Sequence, residues 1–210
     1  MNLVDPRVDR YLAAFADSDD PILKEMEEIA AKRDFPIVGP QVGRLLEVLA
    51  RTIGARHVLE LGSGFGYSAF WFLRGMHPEG FVTMTEGSLE NSQQASRFLG
   101  LAGFDGRFDA WVGDGLELAG RVKAPVDIVF CDIDKQDYPK ALPIARRLLR
   151  PGGLFIVDNM LWQGKVLGGI AEDAATQGVL ELTHLLQRAT AFSTSIVPIR
   201  DGVAVSVKIH

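Results

Sequence analysis

From Arg56 to Asn159 the 210-residue sequence alternates short apolar runs with stretches long enough for a helix, and this rhythm constrains the fold more than any other feature. The runs fall at 57–61, 81–85, 107–112, 126–131 and 154–157, and helical segments are expected at 67–76, 89–99 and 138–149. Strands alternating with crossover helices build a doubly wound, largely parallel α/β sheet, because each crossover carries the chain back to the same sheet edge. The last two runs, 193–199 and 203–209, break the rhythm. Only Arg200, Asp201 and Gly202 separate them, too few for a crossover, so they must form an antiparallel hairpin. Seven strands result, and 164–176 reads as a mobile surface loop before a helix at 177–188.

The first fifty residues read differently, as helices at 8–16, 21–33 and 41–53, with Pro21 opening the second after Asp19 and Asp20. Residues 35–40 form a loop, because Pro36 and Pro40 bias the residues before them towards extended geometry. The whole of 1–210 is expected to be one domain, with helices 1–53 acting as a cap or a dimer element.

Charge and composition remove several function classes. A formal net charge of −5 supplies no general cationic field for nucleic acid. No apolar run reaches the roughly 20 residues needed to span a bilayer, and residues 1–10 are too polar for a signal peptide, so a cytoplasmic protein with no membrane partner is expected. The single cysteine, Cys131, sits among strand apolars and reads as a buried small side chain. The four histidines are scattered without metal or triad spacing.

The chemistry concentrates at strand ends, where ligands bind in open α/β sheets. Glu60-Leu61-Gly62-Ser63-Gly64-Phe65-Gly66 joins the first strand to its helix and suits a nucleotide-like cofactor. A dinucleotide fingerprint would place its third glycine where Tyr67 stands, so the spacing is G-x-G-x-G instead. Glu86 ends the second strand, where a carboxylate can accept both ribose hydroxyls of an adenosine. Asp114, after the third strand, either meets an adenine edge or closes a plain turn. If the fourth and fifth strands are neighbours, Asp132 and Asp158 project side by side. A divalent cation would resolve their repulsion, and Asn159 would add a neutral oxygen, giving a hard site suited to Mg²⁺, with Mn²⁺ or Ca²⁺ as alternatives. Such a cation would lower the pKa of a bound hydroxyl. Lys135, three residues past Asp132, is then the candidate general base, against the plainer reading of a solvated loop lysine. Asp158 and Asn159 could equally serve as a cap or a turn. Trp162 either lines a substrate pocket or packs.

These residues resemble the metal-dependent O-methyltransferases that include catechol O-methyltransferase and the caffeoyl-CoA O-methyltransferases. The likeness runs from about Phe35 onwards and is carried by residues 59–68, by Asp132 to Lys135, by Pro151-Gly152-Gly153 and by 158–164. It implies a Rossmann-like methyltransferase fold and S-adenosylmethionine as cofactor. It also implies Asp132, Asp158 and Asn159 as metal ligands, Lys135 as base, and Gly62, Gly64, Tyr67, Ser68 and Glu86 around the cofactor. Counting back from Glu60 puts Val38 and Gly43 on the family's cofactor-covering loop. A small hydroxylated, catechol-like acceptor and a homodimer are what such a resemblance implies for partners. Two other readings compete: a nicotinamide-dependent oxidoreductase on a similar sheet, and a protein that binds S-adenosylmethionine without turning it over.

Overall fold

The computed structural model describes residues 5–168 and 173–210. Three helices come first: α1 (Pro6–Ala16), α2 (Pro21–Arg33) and α3 (Gly39–Thr52). Asp20 caps α2 by accepting hydrogen bonds from the amides of Ile22 and Leu23, and Pro21, with no amide hydrogen to lose, occupies the first turn. The third helix begins two residues before its expected start. Pro40 falls in its first turn, where a proline preset at helical φ extends a helix rather than blocking it.

The sheet then follows as β1 (His57–Leu61), α4 (Tyr67–Gly75), β2 (Phe81–Glu86), α5 (Leu89–Leu101), β3 (Phe108–Val112), the short α6 (Gly115–Leu118), β4 (Val126–Cys131), α7 (Tyr138–Leu148), β5 (Leu149–Val157), α8 (Ala174–Arg188), β6 (Phe192–Val197) and β7 (Val203–Lys208). Strand order is β3-β2-β1-β4-β5-β7-β6. The first five strands pair in parallel, β7 lies antiparallel to both β5 and β6, and β4 and β5 are neighbours, all as the sequence rhythm requires.

Four local expectations need correction. Pro151-Gly152-Gly153 does not turn the chain ahead of the fifth strand but lies within it. The register jumps from Val126 opposite Leu149 to Ile128 opposite Leu154, so the extra residues bulge out where proline and glycine cost the ladder least. The eighth helix starts at Ala174, not 177, because Asp173 caps it through the Thr176 amide at 2.7 Å. Of the loop expected at 164–176, residues 169–172 lie outside the described residues, and residues 162–168 make 3₁₀ turns. The hairpin connection is also longer than the three residues read from the sequence, running from 198 to 202.

Each strand alternates its side chains between two apolar layers. Val58, Met84, Ile128, Phe130 and Ile156 face the layer under α3, α4 and α5, which holds Trp71 and Phe98. Leu59, Val129, Phe155 and Val157 face the layer under α7 and α8, which holds Tyr138 and Leu182. Cys131 is fully buried in that second layer, and burial pushes its thiol up to about 12, so it stays protonated and inert. Among the described residues no helix is long and apolar enough to cross a membrane.

The strand order reverses direction between β1 and β4. Chain leaving β1 goes one way across the sheet and chain leaving β4 goes the other, so a crevice opens at their carboxyl ends.

Candidate active site

A cavity of about 480 Å³ occupies that crevice. Its wall includes Val38, Gly62, Gly64, Tyr67, Ser68, Glu86, Asp114, Asp132, Lys135, Asp158 and Asn159, which gathers nearly every site residue expected from the sequence into one place. Two expected residues stand elsewhere. Glu60 is fully buried beneath the glycine loop, and Gly43 is buried in α3 with its Cα against the Trp71 indole, a helix contact away from the cavity wall.

The glycine turn is fixed by the next strand. The Gly62 and Ser63 amides both donate to the Thr85 carbonyl, at 3.1 and 3.0 Å, and the Gly64 amide donates to Glu86 Oε2 at 2.9 Å. Gly62 adopts φ +80°, and a Cβ there would stand 2.4 Å from the Asp132 carbonyl oxygen, so the β1 and β4 ends meet this closely only with glycine at that position. Glu86 Oε1 accepts from the Ser88 amide at 2.9 Å and from Asn91 Nδ2 at 3.3 Å, so Oε2, with the Gly64 amide as its one donor, keeps a lone pair for a ligand at the rim. Asp114 combines its two sequence readings: it lines the cavity and caps α6 through the Leu116 amide at 2.7 Å.

Below the loop, Ser68 donates its hydroxyl to Glu60 Oε1, while Glu60 Oε2 is buried with no partner. Burial, reinforced by the charges of Asp132 and Glu86, pushes the Glu60 carboxyl up to about 8 despite the Ser68 bond. Tyr67 turns its hydroxyl away from the glycine turn and donates to Glu27 Oε1 at 2.5 Å, so it pins α2 to α4 as it lines the cavity.

At the other end of the cavity, Asp158 is 4% exposed. Burial and the neighbouring Asp132 charge push its carboxyl up to about 7. Lys135 Nζ lies 2.8 Å from Asp132 Oδ1 and 3.3 Å from the Ile133 carbonyl, and it also sits over the rings of Tyr138 and Trp162, at 5.2 and 5.7 Å. It is therefore held as an ion pair, not as a solvated loop lysine. Asn159 sits at φ +56°, and the Tyr138 hydroxyl donates to the Asp158 carbonyl at 2.9 Å, so the β5 end is clamped from α7. Among the described residues no group of three or more His, Cys, Asp and Glu side chains is gathered for a metal. The candidate donor set is two carboxylates and an amide, and its chemistry, a buried Asp158 and a half-buried Asp132 with a single lysine beside them, fits a hard divalent cation.

A second cavity, of about 830 Å³, opens beside the first and shares Phe35, Pro36, Ile37 and Asn159 with it. Glu27, Asp34, Arg200 and Asp201 line its far side. Sequence reasoning missed this space, because its walls come from α1, α2, the 35–40 loop and the β6–β7 turn, segments brought together only by the tertiary fold.

A family model described as O-methyltransferase matches residues 13–209. The chain is 28% identical over 217 residues to a catechol O-methyltransferase of Niastella koreensis, covering 98% of each protein. Among solved structures it is similar to the O-methyltransferase TomG of Streptomyces achromogenes, involved in tomaymycin synthesis and in complex with SAM, at 28% identity and a TM-score of 0.89, over 97% of this chain and 96% of that one. It is also similar to an O-methyltransferase of Bacillus cereus in complex with SAH, at 29% identity and a TM-score of 0.85, over 96% of this chain and 97% of that one.

Proposed function

Because the chain belongs to the O-methyltransferase family, we propose that it is an S-adenosylmethionine-dependent enzyme that methylates a hydroxyl of a small catechol-like or otherwise vicinally hydroxylated acceptor, aided by a divalent cation. The observation that carries this reading is the continuity of the two cavities. A crevice of about 480 Å³ runs from the glycine loop to Asp132, Asp158 and Asn159, and at Asn159 it meets a second space large enough for an acceptor.

In this reading Glu86 accepts hydrogen bonds from the ribose hydroxyls of the donor, Asp114 and its neighbouring amides meet the adenine edge, and Val38 covers the donor from above. Gly62, Gly64, Tyr67 and Ser68 form the wall on which the donor lies, and the buried Glu60 braces that wall from beneath through Ser68. Asp132, Asp158 and the Asn159 amide oxygen would hold the cation, most suitably Mg²⁺, with Mn²⁺ or Ca²⁺ as alternatives. When bound, the cation would lower the pKa of an acceptor hydroxyl and offset the charge that develops on its oxygen. The acceptor oxygen then attacks the methyl carbon in line as the carbon–sulfur bond breaks, and Lys135, acting as the neutral amine once the cation rather than the lysine engages Asp132, receives the hydroxyl proton at Nζ. Orienting the two reactants in one walled space contributes the larger part of the acceleration. The apolar side chains of Val8, Tyr11, Leu12 and Phe15, exposed on α1, support pairing with a second copy through the N-terminal helices.

Calorimetric titration of metal-stripped protein tests this function. S-adenosylmethionine is added first, then 4-methylcatechol with and without Mg²⁺. The reading requires cofactor binding and metal-dependent acceptor binding. Cofactor binding with no metal effect would remove the cation from the account, and NADH binding in place of S-adenosylmethionine would overturn the reading altogether.

A further inference from the structure

Arg200 belongs to the turn between β6 and β7, far along the chain from either ligand motif, yet it reaches the segment that covers the first cavity. Its Nη1 donates to the Val38 carbonyl at 2.8 Å, across 162 positions of sequence. Gly39, the next residue, has φ +71°, and a Cβ there would fall 1.4 Å from Arg200 Nη1 and 2.7 Å from Cζ. The guanidinium thus crosses the start of α3 in direct contact with its backbone, through a gap that exists because residue 39 has no side chain. No side chain caps the first turn of α3, and Arg200, a donor, does not cap it either; it tethers the backbone just ahead of the helix through the Val38 carbonyl. No carboxylate forms an ion pair with Arg200 among the described residues, which leaves the Val38 contact as its recorded side-chain bond.

The same turn grips the other wall. Gly202 accepts from the Met160 amide at 2.9 Å, the Asp201 carbonyl accepts from the Leu161 amide at 2.8 Å, and Asp201 Oδ1 accepts from the Gln163 amide at 2.6 Å. These bonds fix the chain immediately after Asp158 and Asn159. One five-residue turn therefore connects the donor-side cover, 35–39, to the acceptor-side segment, 159–163, and Arg200 and Asn159 both line the cavity between them.

We propose that Arg200 is a positioning residue for methyl transfer. It locks the 35–39 cover to the turn that also holds the Asn159 segment, so that the donor and acceptor sides keep a fixed spacing. The proposal rests on the reading of the first cavity as the donor site.

Hydrogen exchange on the ligand-free protein tests the lock without any substrate. Arg200→Ala should speed exchange of the amides around 38–43 by about tenfold, the loss of one hydrogen bond to a charged donor, while amides of β1 and β4 keep their wild-type rates. Binding of S-adenosylhomocysteine should weaken by a similar factor, about tenfold, and Arg200→Lys should restore part of it through a single remaining donor. Gly39→Ala, which pushes the guanidinium off Val38 with Arg200 intact, should give the same signature, and the double variant should be little worse than either single one. If Arg200→Ala does not fold, Gly39→Ala and Arg200→Lys, read by the same exchange, decide in its place. Unchanged exchange around 38–43 in both single variants, or additive effects in the double, overturns the lock. Failure of the wild type to bind S-adenosylhomocysteine overturns the donor-site reading instead, and exchange still decides the lock.

Discussion

Replacing Glu60 by glutamine should stabilise the protein, and the gain should grow with pH. Glu60 is fully buried, with Ser68 as its sole recorded partner and Oε2 orphaned. Its carboxyl titrates at about 8 when folded against an ordinary 4.5, chiefly because burial penalises the charge. A raised carboxyl pKa means that the folded state binds the proton more tightly. The contribution is complete below pH 4.5 and is lost as pH rises through about 8. At about 1.4 kcal/mol per pH unit, the wild type forfeits roughly 3 kcal/mol by pH 7 and roughly 5 kcal/mol by pH 9, as an upper bound. Glutamine keeps the shape and the acceptor for Ser68, and its amide group inherits the same orphaned position, so the two side chains differ mainly in titration. Urea unfolding of both proteins at pH 4.5, 7 and 9 reads the difference. The two should be nearly equal at pH 4.5, with the variant ahead by about 2 kcal/mol or more at pH 9. An equal offset at every pH, or an advantage that shrinks as pH rises, would refute the assignment of Glu60 as a buried neutral acid.

Three other outcomes follow from the same geometry. Gly43→Ala would put a Cβ 2.3 Å from Trp71 Nε1, in a ring flanked by Arg44 and Arg74, so overpacking of about 1–3 kcal/mol should outweigh about 1 kcal/mol of helix propensity and lower Tm by a few degrees. For Asp127, burial alone would raise the carboxyl, but bonds from Arg150 Nε at 2.5 Å and from the Arg56 and His57 amides at 2.8 Å hold it below its ordinary 3.8. Asp127→Asn should therefore cost about 3 kcal/mol at pH 7, and the deficit should fade as pH drops below 3.8 towards the lower folded value, as read by denaturant melts. Lys135→Met should reduce kcat by about 10²–10⁴ while leaving S-adenosylmethionine affinity within about twofold, as read by initial rates and calorimetry.

Much of this architecture is legible in the sequence because it depends on local pattern. The short apolar runs at 57–61 and 126–131 mark buried strands, the crossover lengths force parallel pairing, and the short link around Arg200 forces a hairpin. The strand-end motifs locate the crevice for the same reason, since topology alone brings Gly62, Glu86, Asp132 and Asp158 to one edge. What stayed hidden depends on contacts between distant segments. Nothing near Glu60 in sequence reveals that Ser68 and the glycine turn seal it from solvent. Tyr67 looks like part of the cofactor turn until α2 brings Glu27 to its hydroxyl. Counting places Gly43 on the cofactor-covering loop, but it lies inside α3 with Trp71 packed against it, a contact that only the fold brings about. Pro151 to Gly153 read as a turn, because a strand bulge has the same residue preferences as one. The Arg200 to Val38 bond joins two loops that no short-range pattern relates.

The most direct test of the account is transfer of a labelled methyl group from S-adenosylmethionine to 4-methylcatechol by metal-stripped protein, with Mg²⁺ restored stepwise and Asp158→Asn run in parallel. The account predicts methylated product from the wild type only once Mg²⁺ is present, rising to saturation, and a loss of at least about 10²-fold in the variant at every Mg²⁺ level. Equal methylation of the catechol with and without Mg²⁺, or full activity in Asp158→Asn, would contradict it.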